Sequence, residues 1–392
     1  MQTTVMKNVL LVFGLIFSLQ ASAQHPLIDS VLVRVRIDSL MHYAEQISGE
    51  KGVVINGVTD TIKTRHKLKA GNELAYRFLI EKMGQYNVQI DSMVFSSTGK
   101  NILAIQPGAV YPNIYVILCA HYDSMPNSNI SPAADDDGSG VAAVMEAIRI
   151  LSQFQFEYTI VYAIWDEEEQ GKIGSAAYAN MARNDGDSIR GVINMDAIAW
   201  DGNGDNAAMI HTSSISNSLN IAAMIDNVNN TYNIGLDLYL TNPGATYSDH
   251  ASFWNKQYGA VLVIEDWAFD ANPHYHTVTD KVQYFNIPYF EKMAKLSIAS
   301  TAELAVPISF LGSEQEETST PVQVFPNPFS DGIWIRSERA LSFQLCDFQG
   351  KILHLGSTNN QTYIALSDLP TGIYVLHIQD NKGVSTVKVI KY

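Results

Sequence analysis

Between residues 113 and 305, runs of apolar and β-branched residues alternate with segments whose apolar positions recur every three or four residues. Ile114-Tyr-Val-Ile-Leu-Cys119 reads as a buried strand, and so does Tyr158-Thr-Ile-Val-Tyr-Ala-Ile-Trp165. Between them, Val141, Val144, Met145, Ile148 and Leu151 fall on one helical face. A small-residue helix around Ser175–Met181, strands near Val192–Met195 and Ala260–Ile264, and a helix near Tyr289–Leu304 continue the alternation. The stretch 30–95 adds helices and a hairpin leading into the sheet. This order predicts the α/β class: a three-layer α/β/α sandwich with a mixed central sheet. Ligand sites in such sheets collect beyond the carboxyl ends of the strands.

The pattern changes after residue 305. "VPISFLGSEQEETSTPV" turns polar, with Pro, Ser and Thr, and places a linker at 311–322. About seven short strands follow at close spacing, which predicts a small all-β sandwich over 323–392. At the other end, Lys7, the apolar stretch Val9–Phe17 and the small residues Ala21-Ser22-Ala23 have the make-up of a signal peptide over 1–23. The expected organisation is therefore 1–23, a catalytic domain at 24–310, the linker, and the β domain. No other segment approaches 18 apolar residues, so no transmembrane segment is expected in the mature chain. Export permits disulfides, yet the two cysteines, Cys119 and Cys346, fall in different predicted domains and read as buried thiols. A formal charge of −15 argues against a nucleic-acid partner, which favours a basic face.

The chemistry sits just beyond the apolar strands. "AIWDEEEQG" sets Asp166, Glu167, Glu168 and Glu169 in a row at the end of one of them. Adjacent carboxylates at the edge of a core repel one another and lose hydration, so something must compensate them. "LCAHYDS" supplies His121 and Asp123, "SPAADDDGSG" supplies Asp135, Asp136 and Asp137, "INMDAIAW" supplies Asp196, and "NPHYHTVTD" supplies His274, His276 and Asp280. Singly, each has an ordinary explanation as a helix cap, a turn or an edge residue. Together they put five clusters of oxygen and imidazole donors along one sheet edge. Imidazole with carboxylate and no thiolate suits zinc or another divalent transition ion, and the cation would turn repulsion among the acids into ligation.

"HYDS", "AADDDGSG", "WDEEEQGKIGS", "NMD", "SDHASFW" and "YHTVTD" occur in the order and context of the secreted di-zinc aminopeptidases, which this chain resembles over roughly residues 65–300. The resemblance implies one zinc held by His121 and Asp196, a second held by Glu169 and His276, and Asp136 bridging the two. It also implies Glu168 as general base, with Asp123, Asp249 and Asp280 supporting the ligands from behind; Asp166 and Glu167 would only flank the site. Family members often carry a tyrosine before "SDH" that helps stabilise the oxyanion. In "TNPGATYSDH" the matching position is Ala245, and Tyr247, two residues later, is the candidate for that role. The implied activity is hydrolysis of the N-terminal peptide bond of peptides or proteins. Carboxypeptidase and glutaminyl cyclase activities occur on related members of the fold, and a non-catalytic exported metal-binding protein is the reading from another class. Separately, "VFPNPFSDGIWI", "DFQGK", "LPTGIYVLHI" and "VKVIKY" resemble the C-terminal sorting domain of the type IX secretion system. That resemblance implies the secretion machinery as a partner, and export through the periplasm to the cell surface or the medium.

Overall fold

Alternation along the central strands decides the layering. In the computed structural model, which describes residues 24–311, 322–337, 340–347, 351–380 and 383–392, eight strands form one mixed sheet. In chain order they are β1 (Gln89–Val94), β2 (Lys100–Gln106), β3 (Tyr111–His121), β4 (Tyr158–Trp165), β5 (Ser188–Met195), β6 (Ala207–His211), β7 (Asp237–Thr241) and β8 (Ala260–Glu265). Across the sheet they lie in the order β7-β6-β8-β5-β3-β4-β2-β1. The four central strands, β8, β5, β3 and β4, are mutually parallel. The antiparallel pairs are β6 with β8, β2 with β4 and β1 with β2. The predicted signal peptide and residues 312–321 of the linker lie outside the described residues.

Successive side chains of a strand point to opposite faces, and here they enter two separate cores. Val116, Leu118 and Ala120 of β3 join Ile160, Tyr162 and Ile164 of β4 on one face. Ile117 and Cys119 join Val161, Ala163 and Trp165 on the other. The α-helices among the described residues are α1 (Pro26–Leu32), α2 (Ile37–Ile47), α3 (Ala70–Met83), α4 (Gly138–Leu151), α5 (Ile173–Asp185), α6 (Ser218–Thr231), α7 (His250–Trp254) and α8 (Ile287–Ala305). The first face is covered by helices that include α2, α4 and α8, the second by α5 and α7. With both faces buried, the central strands read as continuous apolar runs, which is why they were legible. The sandwich is three-layered and its sheet mixed.

The predicted elements appear with longer bounds, and Val53–Ile55 pairs with Val58–Asp60 as the early hairpin. The periodicity does not reveal β6, β7 or the helix Ser218–Thr231 between them. The two strands have five residues each, and β7, at the sheet edge, buries none of them fully. Among the described residues no helix is long and apolar enough to cross a membrane. Cys119 and Cys346 are buried free thiols.

Contacts divide the chain between Leu311 and Gly312. The second unit has a three-stranded and a four-stranded sheet around a core that includes Phe329, Ile333, Ile335, Leu345, Leu376 and Val389.

Candidate functional site

Four neighbouring parallel strands end at the same edge, and the loops that leave them carry the polar clusters. His121 is the last residue of β3, Glu168 and Glu169 follow β4, Asp196 follows β5, and His276 lies on the loop after β8. Asp136 precedes the N-cap of α4. Its carboxylate faces two imidazoles: Oδ1 is 3.2 Å from His121 Nε2 and Oδ2 is 3.1 Å from His276 Nε2. His121 Nε2 is also 3.7 Å from Asp196 Oδ1, and His276 Nε2 is 2.8 Å from Glu169 Oε2. The five residues thus form two groups that share Asp136. A cavity of about 290 Å³ opens on Asp136, Glu169 and Asp196 of this set, lined also by Glu168, Tyr247, Ile264, Trp267 and Tyr275.

The four consecutive acids diverge. Asp166 is fully buried and accepts from Asn72 Nδ2 and the Glu167 N–H on Oδ1, and from the Tyr122 hydroxyl and the Lys100 N–H on Oδ2. Glu167, at φ +58°, pairs with Lys67 at 3.2 Å and accepts from Thr98 Oγ1 at 2.6 Å. Glu168 faces the cavity, where burial pushes its carboxyl well above the usual range; nearby His121 opposes this, while Asp249, Asp196 and Asp123 reinforce it. Glu169 is pushed up to about 7, by burial and then by the charge of Asp136, against the pull of His276.

Asp123 ties two of the loops together. Its Oδ1 accepts the Glu168 N–H at 3.0 Å and lies 3.4 Å from His121 Nδ1, while Oδ2 accepts the Glu169 N–H at 3.1 Å. Asp280 supports the Asp136 loop in the same way, accepting the N–H groups of Asp135 and Asp136 at 3.0 and 3.1 Å. Asp249 is fully buried at the start of α7, and burial pushes its carboxyl up to about 7. Asp137 comes close to His121 and Asp196, yet its oxygens accept three backbone N–H groups, from Gly140, Ala197 and His121. A Cβ at residue 140 would collide with that carboxylate, so Gly140 lets the cap close over the helix. Asp137 builds the loop, and Asp136 faces the cavity. His274 is not brought to the cluster; it stacks on Tyr284 at 3.8 Å and bonds Thr279.

The donor set fits divalent zinc. His276 Nε2, Asp136 Oδ2 and Glu169 Oε1 are buried and make no hydrogen bond, although His276 Nε2 lies within 3.1 Å of both carboxylates. Lone pairs that converge without a proton properly placed between them are arranged for a cation. Burial alone would lower His276; the facing carboxylates of Asp136 and Glu169 instead raise it to about 10. His121 is raised well above the ordinary imidazole value by Asp123, Asp136 and Asp196, again against burial.

Two participants escape a reading of motifs. Arg65 is completely buried and donates to the carbonyls of Ile47, Tyr122, Pro132 and Ala133 at 2.6–2.8 Å. It ties the His121 loop to the Asp136 loop, and no spacing in the sequence marks it. His211 ends β6, a strand with a weak apolar signature, and bonds the Tyr247 hydroxyl at 2.9 Å.

Fold and site together define a three-layer α/β protein with an imidazole–carboxylate cluster, fit to hold a metal, at the edge of its sheet. Residues 101–301 match the model of peptidase family M28, and the chain belongs to that family. Residues 323–392 match the secretion system C-terminal sorting domain. A probable leucine aminopeptidase of Trichophyton verrucosum is 27% identical over 58% of this chain and 63% of its own length, so the chain spans about three fifths of that relative. Among solved structures, the LapA aminopeptidase of Legionella pneumophila aligns with a TM-score of 0.62 at 21% identity, covering 72% of this chain and 75% of its own. The glutaminyl cyclase of Bacteroides thetaiotaomicron aligns with a TM-score of 0.56 at 15% identity, over 68% of this chain and 97% of its own. At such identities the two structures share the fold with this chain.

Proposed function

We propose that the chain is an exported zinc aminopeptidase that removes an apolar residue from the N-terminus of peptides. The observation that carries this reading is the placement of Asp136, with one oxygen toward each histidine, beside a cavity that Glu168 also lines. His121 and Asp196 would hold one ion, Glu169 and His276 the other, and Asp136 would bridge them. Bound there, the ions supply Lewis acidity and an acidified water nucleophile. Glu168 would accept a proton from the attacking water and return it to the departing amine. Burial raises its pKa, which suits a carboxyl that exchanges protons over one that stays permanently ionised. Asp123 keeps base and ligand in register by holding both backbone N–H groups of the Glu168-Glu169 pair. Tyr247, on the cavity wall, is the candidate donor to the oxyanion.

Acids around the cavity suit a free α-amine, and Ile264, Trp267 and Tyr275 offer an apolar wall to the adjacent side chain. Trp267 meets Tyr275 edge-on at 4.5 Å, and Tyr275 stacks on His276 at 3.7 Å, so the wall runs up to a proposed ligand. The leucine aminopeptidase relative agrees with this preference. The sorting domain supports delivery by the type IX machinery to the cell surface or medium. The test uses the purified full chain with a leucine anilide, its N-acetylated form, a peptide with a blocked N-terminus and a peptide starting with glutamine. Cleavage of the free-amine substrate alone, abolished by chelation and restored by zinc, is the expected result. Release of C-terminal residues or of pyroglutamate would replace this reading with the carboxypeptidase or cyclase one. A metal-replete chain inert on all of them would leave a non-catalytic binding protein.

A further inference from the structure

Tyr247 can serve an oxyanion only if its hydroxyl proton points into the cavity, and its partner decides where that proton goes. The Tyr247 hydroxyl lies 2.9 Å from His211 Nε2, its one hydrogen-bond partner among the described residues. On the far side of the ring, the backbone N–H of Ala245 points at His211 Nδ1 from 3.2 Å, and Thr241 Oγ1 lies 2.6 Å from the same atom. A backbone N–H can only donate. Nδ1 must therefore accept, and a neutral imidazole then carries its single proton on Nε2. Burial holds His211 neutral by lowering it to about 4.

We infer that His211 is a positioning residue: its Nε2–H donates to the Tyr247 oxygen and so leaves the hydroxyl proton free to point into the cavity, toward the oxyanion of the substrate. This rests on the peptidase reading. Tyr247 lines the same cavity as Glu168, Asp136 and Asp196, and burial pushes its phenol above the ordinary value, so it stays a protonated donor. The loop between β7 and α7 is built to hold this polarity. The Ala245 carbonyl is bonded by His250 Nε2 at 2.7 Å, so the residue is gripped from both sides by histidines. Gly244 donates to the Thr212 carbonyl at 2.7 Å, and a Cβ there would lie 2.8 Å from His211 Cβ. Only glycine lets the loop come that close to the end of β6. Ala245 stands where the resemblance expects the tyrosine, and its N–H instead fixes the tautomer that orients a tyrosine two residues on.

The test combines kinetics with a readout independent of turnover, both on the full chain. Imidazole 15N NMR of the zinc-free chain should show His211 as the Nε2–H tautomer; an Nδ1–H tautomer overturns the inference. On a leucine anilide, zinc-loaded Tyr247→Phe should lose about 10²-fold in kcat, the worth of one oxyanion donor, with KM little changed. His211→Phe should lose kcat in the same direction, and the double variant should be no worse than Tyr247→Phe alone. His211→Gln, whose amide N–H can replace Nε2–H, should recover most of the loss. Additive losses, or wild-type kcat in His211→Phe, overturn the inference and leave the peptidase reading standing. A wild-type chain that cleaves no free-amine substrate overturns both.

Discussion

Glu168 and Glu169 are chemically alike and adjacent, and only their surroundings separate their proposed roles. Glu168→Gln is nearly isosteric and leaves the ligands in place, so zinc content should stay at two per chain while kcat falls by about 10²–10⁴, the usual worth of a positioned base. Glu169→Gln should lose zinc, because a neutral amide is a poor ligand. Glu167→Gln breaks only the pairing with Lys67 and should stay within a few-fold of wild type. Asp166→Asn is a different case. Its two oxygens accept four donors, and an amide nitrogen would face two of them, which costs about 1–3 kcal/mol of stability per buried mismatch. Turnover per folded molecule should survive while the unfolding midpoint drops. Zinc analysis, kcat and thermal melts on the four variants check the set; if Glu167→Gln is the inactive, zinc-replete one, the roles move by one residue.

At the proposed site, protons would compete with zinc for the same atoms. His276, raised to about 10, is protonated at neutral pH in the metal-free centre, and Glu169, at about 7, is partly so. Zinc needs both in their basic forms, so binding must expel protons and affinity must rise with pH. Between pH 6 and 8 the expected steepening is about tenfold per unit for each proton displaced. Chelator competition across that range, with calorimetry in two buffers of different ionisation heat, measures it; a flat profile with no proton release would remove the arrangement from consideration.

The elements explain why so much of the site could be read from the chain. Four parallel strands, buried on both faces, leave strong apolar signatures, and each ends where a polar cluster begins. His121, Asp136, Glu168, Glu169, Asp196 and His276 were therefore legible as strand-end clusters, with their individual roles supplied by resemblance. What could not be read depends on contacts between distant segments. Asp137 and Asp136 look equivalent in "AADDDGSG", and only the three N–H groups around Asp137 tell them apart. His211 was hidden because β6 is short, and Arg65 because nothing local marks a cation that will be wrapped by carbonyls. Arg65 carries a prediction at this level, since it joins the end of α2, the His121 loop and the Asp136 loop. Arg65→Met would take the donor from the buried carbonyls of Ile47, Tyr122 and Pro132 at about 1–3 kcal/mol each, and leave that of Ala133 only the Gly138 N–H, which should prevent folding or nearly so. Arg65→Lys keeps the charge but loses the planar fork; it should fold with a lower melting point and bind zinc at least tenfold more weakly. Melting and chelator titration unchanged from wild type would show that the loops hold themselves.

Across the whole chain, the described residues contain two sets of cores that do not share side chains. The sheet and its helices pack through the clusters around Leu118 and Trp165, and the C-terminal strands pack around Phe329, Leu345 and Leu376. Every proposed ligand and the proposed base belong to the first unit. The edge of that unit lies further along the chain than the last helix suggests. Pro307–Phe310 pairs antiparallel with Phe154–Phe156, Phe310 lies 4.8 Å from Phe154 ring to ring, and the Leu311 N–H bonds the Gln153 carbonyl at 2.6 Å. A chain ending at Leu311 should therefore fold, bind two zinc ions and keep the kcat of the full chain on a leucine anilide, while losing export. A chain ending at Ala305 removes that strand and strips one wall from Phe154, a fully buried side chain. Exposing a buried aromatic and a strand pairing together costs several kcal/mol on the scale of about 3–5 for a large core truncation, so this shorter chain should melt far below the longer one. The two lengths, compared by thermal melt, zinc content and turnover, locate the boundary. Loss of folding at Leu311 would mean that the sorting domain stabilises the enzyme as well as addressing it.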